Sequence, residues 1–155
     1  MKRSLFTLSI LTILAVPGAQ AESTQPPTQP PTQPPTQPLA LRGIMQDLGR
    51  HMETITQALA REDWTRIEET APLIADHPQP PFMEKARILA YVGTDMRRFK
   101  RHDQKTHEAA QALGQAAGKQ DGQAVAAALQ TLQGRCNDCH QEFRKPFVEH
   151  FYGAR

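Results

Sequence analysis

From residue 39 onward the apolar positions fall into helical stripes. Leu41, Met45, Leu48, Met52, Ile55 and Leu59 recur at alternating spacings of four and three. That heptad sets all six on one face of a helix over about 39–60, with Arg42, Gln46, Asp47, Arg50 and Glu53 on its wetter sides. Trp64, Ile67, Ala71 and Ile74 continue the rhythm in a second helix. Asp63 is expected to cap its start and Pro72 to bend its last turn. His77-Pro78-Gln79-Pro80-Pro81 then stops it, because residues before proline are pushed out of the helical region. Ala86, Leu89 and Val92 mark a short helix over 82–93. A longer one follows over about 94–117, capped by Thr94, with Phe99, Thr106, Ala110, Leu113 and Ala117 inside. The last helix opens at Asp121 and aligns Val125, Leu129, Leu132, Cys136, Cys139, Phe143 and Phe147. Pro146 limits its regular part to about residue 145, with 147–152 as a further turn. No segment alternates with the period of a strand. Four main amphipathic helices with short connections predict an all-α, antiparallel four-helix bundle.

The chain ahead of that region has a different character. Lys2 and Arg3 precede an apolar run over 5–16, and Ala19-Gln20-Ala21 has the small-x-small form of a cleavage site. This is the pattern of a secretory signal peptide over 1–21, too short and wrongly flanked for a membrane anchor. Residues 22–38 are a linker of repeated Thr-Gln-Pro-Pro, which lacks regular N–H donors and is expected to be an extended spacer. The folded domain is then 39–155. Export points to the periplasm, with no membrane span after cleavage.

Charge adds little to this picture. The chain has 18 Lys+Arg against 16 Asp+Glu, and losing Lys2 and Arg3 leaves 16 of each. A nucleic-acid partner is not expected of such a balance. Only 2 cysteines are present, and an oxidising compartment would pair them unless something else captured them.

Their setting names the captor. Cys136-Asn137-Asp138-Cys139-His140 is C-x-x-C-H, the attachment sequence for c-type haem. Residues three apart lie close on a helical turn, so both thiols can bond one edge of a porphyrin while His140 offers its imidazole to the iron. Two other uses of such a pair are weaker. A dithiol redox pair belongs at a helix N-terminus, where the dipole stabilises the thiolate, and this one lies deep in a helix. A zinc site would need a further ligand; His150 is the nearest candidate, and no second C-x-x-C or close histidine pair is visible.

The motif lies near the C-terminus of a four-helix pattern. In this the chain resembles the class II cytochromes c, the cytochrome c′ and cytochrome c-556 family. The matching residues are Ile44-Met45-Gln46-Asp47-Leu48-Gly49 and Arg135-Cys136 through Cys139-His140-Gln141-Glu142-Phe143-Arg144. The resemblance covers about 39–145; the spacer and the 82–93 segment are not typical of it. It implies one covalent haem c between the first and last helices, with His140 proximal and the residue at Met45 facing the distal side. In cytochromes c′ that residue is commonly apolar and non-ligating, leaving a five-coordinate iron that takes up nitric oxide or carbon monoxide. In the c-556 members it is a ligating Met, giving a low-spin one-electron carrier.

Helix geometry agrees with Met45 as the ligand. With the first and last helices antiparallel, Met45 and His140 fall at nearly the same height at about 1.5 Å per residue. Met52 lies two turns further along and is the second choice; Met83 and Met96 lie on other segments. Arg144, four residues after His140, is a candidate for a haem propionate, and Arg135 has a similar claim. Arg97, Arg98, Lys100, Arg101 and Lys105 form a basic cluster suited to steering acidic redox partner proteins. His51, His102 and His107 are expected to be surface or hydrogen-bonded histidines. An enzyme of the peroxidase kind would need distal acid–base residues, which the first helix lacks beside Met45. Family members often dimerise through their first two helices, so a homodimer stays open, although the first stripe has no second apolar face.

Overall fold

The structure is a computed structural model that describes residues 38–153. The signal-peptide segment and the linker up to residue 37 lie outside the described residues. So do Ala154 and Arg155. Helices α1 (Ala40–Leu59), α2 (Trp64–Ala75), α3 (Phe82–Val92), α4 (Met96–Gly118), α5 (Gly122–Cys139) and α6 (Lys145–Tyr152) follow in order. α1, α2, α4 and α5 are the antiparallel four-helix bundle, with α2 on α1, α4 on both α2 and α5, and α1 touching α5 slightly. None of these helices is long and apolar enough to cross a membrane.

The turns follow local chemistry. Asp63 Oδ1 accepts from the Arg66 N–H at 3.1 Å, and Asp121 Oδ1 accepts from the Ala124 N–H at 3.0 Å. Each Asp thus satisfies an orphan donor at the start of its helix. Each is preceded by a residue in the left-handed region, Glu62 at φ 55° and Gln120 at φ 57°. Thr94 does not cap α4 as expected. The chain instead reverses at Gly93, at φ 55°, and passes through a 3₁₀ turn, Gly93–Asp95. Glycine suits that position because a Cβ would be crowded at positive φ.

The apolar stripes feed two cores. The first joins Ile55, Ala58, Ile67, Ala71, Ile74, Leu113, Val125, Leu129 and Leu132 across α1, α2, α4 and α5. The second is aromatic and sits under α3 and α6, where Leu39 and Ile88 meet Phe143, Phe147 and Phe151. Phe99 stands edge-on to Phe143 and stacks on Phe147, at centroid distances of 5.3 and 5.6 Å.

Two faces differ from the periodicity. On α3 the buried residues are Glu84 and Ile88, while Ala86 and Leu89 face solvent. The reason is Glu84, whose carboxylate is drawn inward to the start of α1, accepting from the Ala40 N–H at 2.6 Å and the Leu41 N–H at 2.8 Å. Leu39 offers α1 no side-chain cap of its own, so α3 supplies one from another element. On α1, Ile44 is buried beside the expected stripe and Met45 on it is exposed.

The last helix also departs from the simple reading. Between α5 and α6 the backbone widens into a π-turn, His140–Arg144. Pro146 has no N–H to give and its ring crowds the carbonyl four residues back, so the turn before it opens out. The helix continues past the proline, with Phe143, Phe147 and Phe151 still facing the core.

Candidate functional site

Cys136 and Cys139 close α5, and His140 opens the π-turn. Neither cysteine is in a disulfide, and each is half-buried. They are packed differently. Cys136 lies against the first core and Cys139 against the second. The three-residue step between them therefore bridges the seam between the two cores.

The same seam is crossed on α1. Leu48 and Met52 pack against the first core and Leu41 against the second. Met45 lies between them on the stripe and is 39% exposed. Along α1 the packing thus passes from the second core at Leu41 to the first at Leu48, as it does on α5 from Cys139 to Cys136.

The electrostatics do not suit a reactive dithiol. Burial pushes the Cys136 thiol up. Cys139 is pushed up to about 11, by burial first and then by Asp103, Cys136 and Glu142. A redox pair requires a lowered thiolate pKa, so that alternative fails on both charge and position. His140 is held below its ordinary value by burial and then by the Arg144 guanidinium. A neutral imidazole keeps a lone pair free for a metal. Zinc at the cysteines fares no better. The His150 ring stacks on Tyr91 at 4.0 Å, and the cysteines join no cluster of metal-binding side chains among the described residues.

A family model described as Cytochrome C′ matches residues 40–144. The chain belongs to the cytochrome c′ family. Its members are haem-binding c-type cytochromes, which accounts for C-x-x-C-H on the last bundle helix. No curated protein matches significantly. The residues fit the group the cytochrome c′ family implies: two uncrosslinked thiols one turn apart, with an exposed imidazole beside them whose pKa is held down.

Around this site the structure adds side chains that spacing alone does not single out. Glu142 in the π-turn pairs with Arg98 Nε at 2.9 Å and meets His102 Nε2 at 3.0 Å. These contacts tie the turn that carries His140 to α4. Arg144 is exposed and acts on His140 by its charge, while Arg135 pairs with Asp138 at 3.4 Å. Of the basic cluster, Arg98 is engaged with Asp95 and Glu142. Arg97, Lys100, Arg101 and Lys105 remain exposed, and Arg97 and Arg101 line an open cleft with Thr94 and Asp95.

Proposed function

We propose that the chain is a periplasmic one-electron carrier, with haem c held by Cys136 and Cys139 and the iron ligated by His140 and Met45. The observation that carries this reading is the exposure of Met45. A methionine on a heptad stripe is ordinarily gap-filling core, yet this one is 39% exposed, at the step of the stripe where the packing passes from one core to the other as it does at the cysteines. A thioether so placed is free to bind a metal.

When bound, haem supplies the iron couple, and a His/Met ligand pair raises its reduction potential. The chain's own residues do the rest. His140, its pKa held down, presents its imidazole, and the Glu142 contacts to Arg98 and His102 hold its turn. Arg144 is the candidate partner for a propionate, since a guanidinium pairs with a carboxylate through two parallel N–H groups. The exposed cations on α4 suit an acidic redox partner, steering its approach in a manner that weakens with salt. The signal-peptide pattern read over 1–21 supports a periplasmic location.

The test is the absorption spectrum of the holoprotein, oxidised and reduced, with and without carbon monoxide, for wild type and Met45→Ala. A low-spin wild type indifferent to carbon monoxide, and a high-spin variant that binds it, is the expected result. A high-spin wild type that takes up carbon monoxide would overturn the carrier reading in favour of a five-coordinate gas-binding cytochrome c′.

A further inference from the structure

A second set of ligand atoms converges around Asp103, whose charge also reaches Cys139, but none of them belongs to the C-x-x-C-H motif. His77 follows α2 in the proline-rich connection and is buried, 8% exposed. Asp103 and His107 lie one turn apart on α4 and are half-buried. His77 Nε2 is 3.2 Å from Asp103 Oδ1 and 3.1 Å from His107 Nε2, and the last edge, His107 Nε2 to Asp103 Oδ1, is 3.5 Å. Zinc binds nitrogen and oxygen ligands at about 2.0–2.2 Å, so the corners of a tetrahedral site lie about 3.3–3.6 Å apart. The observed triangle is close to one face of that tetrahedron.

Hydrogen bonding favours the same arrangement. The His77 Nδ1–H donates to the Pro78 carbonyl at 2.9 Å. A backbone acceptor on one ring nitrogen fixes the tautomer and leaves the other as the ligand. In the neutral ring His77 Nε2 then carries no proton and faces both a carboxylate oxygen and another imidazole nitrogen; a bound cation takes the place of the proton that Asp103 otherwise holds there in the charged ring. A proton on one edge of the triangle leaves lone pairs opposed on another. One divalent cation satisfies all three atoms together. His77 is locked by burial, while the partial exposure of Asp103 and His107 provides an entry path and a fourth position for water.

We propose that His77, Asp103 and His107 form a binding site for a divalent transition-metal ion of the zinc class, separate from the C-x-x-C-H motif. The sequence conceals it because His77 and His107 are 30 residues apart and belong to different elements. The ligand set is two imidazoles, one carboxylate and an open position, a pattern of nitrogen and oxygen donors that suits zinc and excludes magnesium.

The experiment is a calorimetric titration of chelator-treated holoprotein with zinc chloride, with magnesium chloride as the control ion. One zinc per chain is expected, with affinity weakened at least about tenfold in His107→Ala and in Asp103→Asn, by analogy with the loss of even indirect metal partners. His51→Ala, which removes a histidine outside the triangle, should bind as wild type does. Zinc-edge X-ray absorption on the wild-type complex gives a readout that needs no variant, and two imidazole ligands with no sulfur are expected. Absence of saturable zinc binding, equal affinity in wild type and both α4 variants, or a sulfur-containing shell overturns the site.

Discussion

Glu84 and Ala40 are joined across 44 positions of sequence by a 2.6 Å contact in which the carboxylate accepts the first N–H of α1. The other carboxylate oxygen takes the Leu41 N–H, so one side chain of α3 satisfies two orphan donors of the helix that carries Met45. A buried charged acceptor at a helix start also meets the positive end of the macrodipole. Glu84→Ala is expected to cost about 2 kcal/mol, and Glu84→Gln, which keeps an oxygen, about half as much. Urea unfolding of the holoprotein measures both. Equal stability of Glu84→Ala and wild type would remove α3 from the account of how α1 is held.

That contact also marks where sequence reading stopped. The bundle helices were legible because their apolar residues repeat with the helical period and Asp63 and Asp121 stand at their starts. The α3 face was not, because a long-range polar contact outranks periodicity: Glu84 turns inward and Leu89 outward. Pro146 was legible as a limit, while the π-turn that absorbs it was not, since a proline can end a helix as well as widen the turn before it. In the site, C-x-x-C-H was readable from spacing alone. The Glu142 links to Arg98 and His102, and the approach of His77 to His107, required the fold to bring separate elements together.

Cys139 gives a direct measure of the environment at the haem motif. Its rise from 9.0 to about 11 reduces the thiolate fraction at pH 8 about a hundredfold. In haem-free protein that retains its helical circular dichroism, iodoacetamide should alkylate this thiol about a hundredfold more slowly than a peptide cysteine, accelerating as pH approaches 11. Burial is the larger cause, and Asp103 adds its charge, so Asp103→Asn should quicken the reaction modestly. Alkylation at the peptide rate would mean that the thiol is neither buried nor surrounded by negative charge.

The His77–Asp103 contact makes stability depend on pH in a defined window when chelator keeps metal away. His77 is held above its ordinary 6.5, first by its hydrogen bond to Asp103 and against the effect of burial. A raised histidine contributes fully below its unfolded value and loses that contribution as pH rises through the folded one. Asp103 is held below its ordinary 3.8, first by the same hydrogen bond. It contributes above that value and loses the contribution as pH falls through its lower folded value. The pair therefore stabilises most between about pH 4 and pH 6.5. Wild type should melt above Asp103→Asn at pH 6, with the gap narrowing by pH 9. A gap of the same size at both pH values would show that the contact is not ionic.

Ile55 and Met45 separate the structural and functional roles of one helix. Ile55 is fully buried in the first core, so Ile55→Ala should cost about 3 kcal/mol through lost burial and the cavity left behind. It should leave the haem absorption unchanged. Met52 offers the sharper comparison, because it also carries a thioether but packs against that same core. Met52→Leu nearly conserves volume and should cost less than about 1.5 kcal/mol, again with an unaltered spectrum. Met45→Ala, in contrast, should change the spin state. Urea unfolding and absorption spectra of the three holoproteins test the whole pattern. A spin-state change in Met52→Leu, with Met45→Ala remaining low-spin, would move the distal ligand two turns along α1 and with it the expected position of the haem.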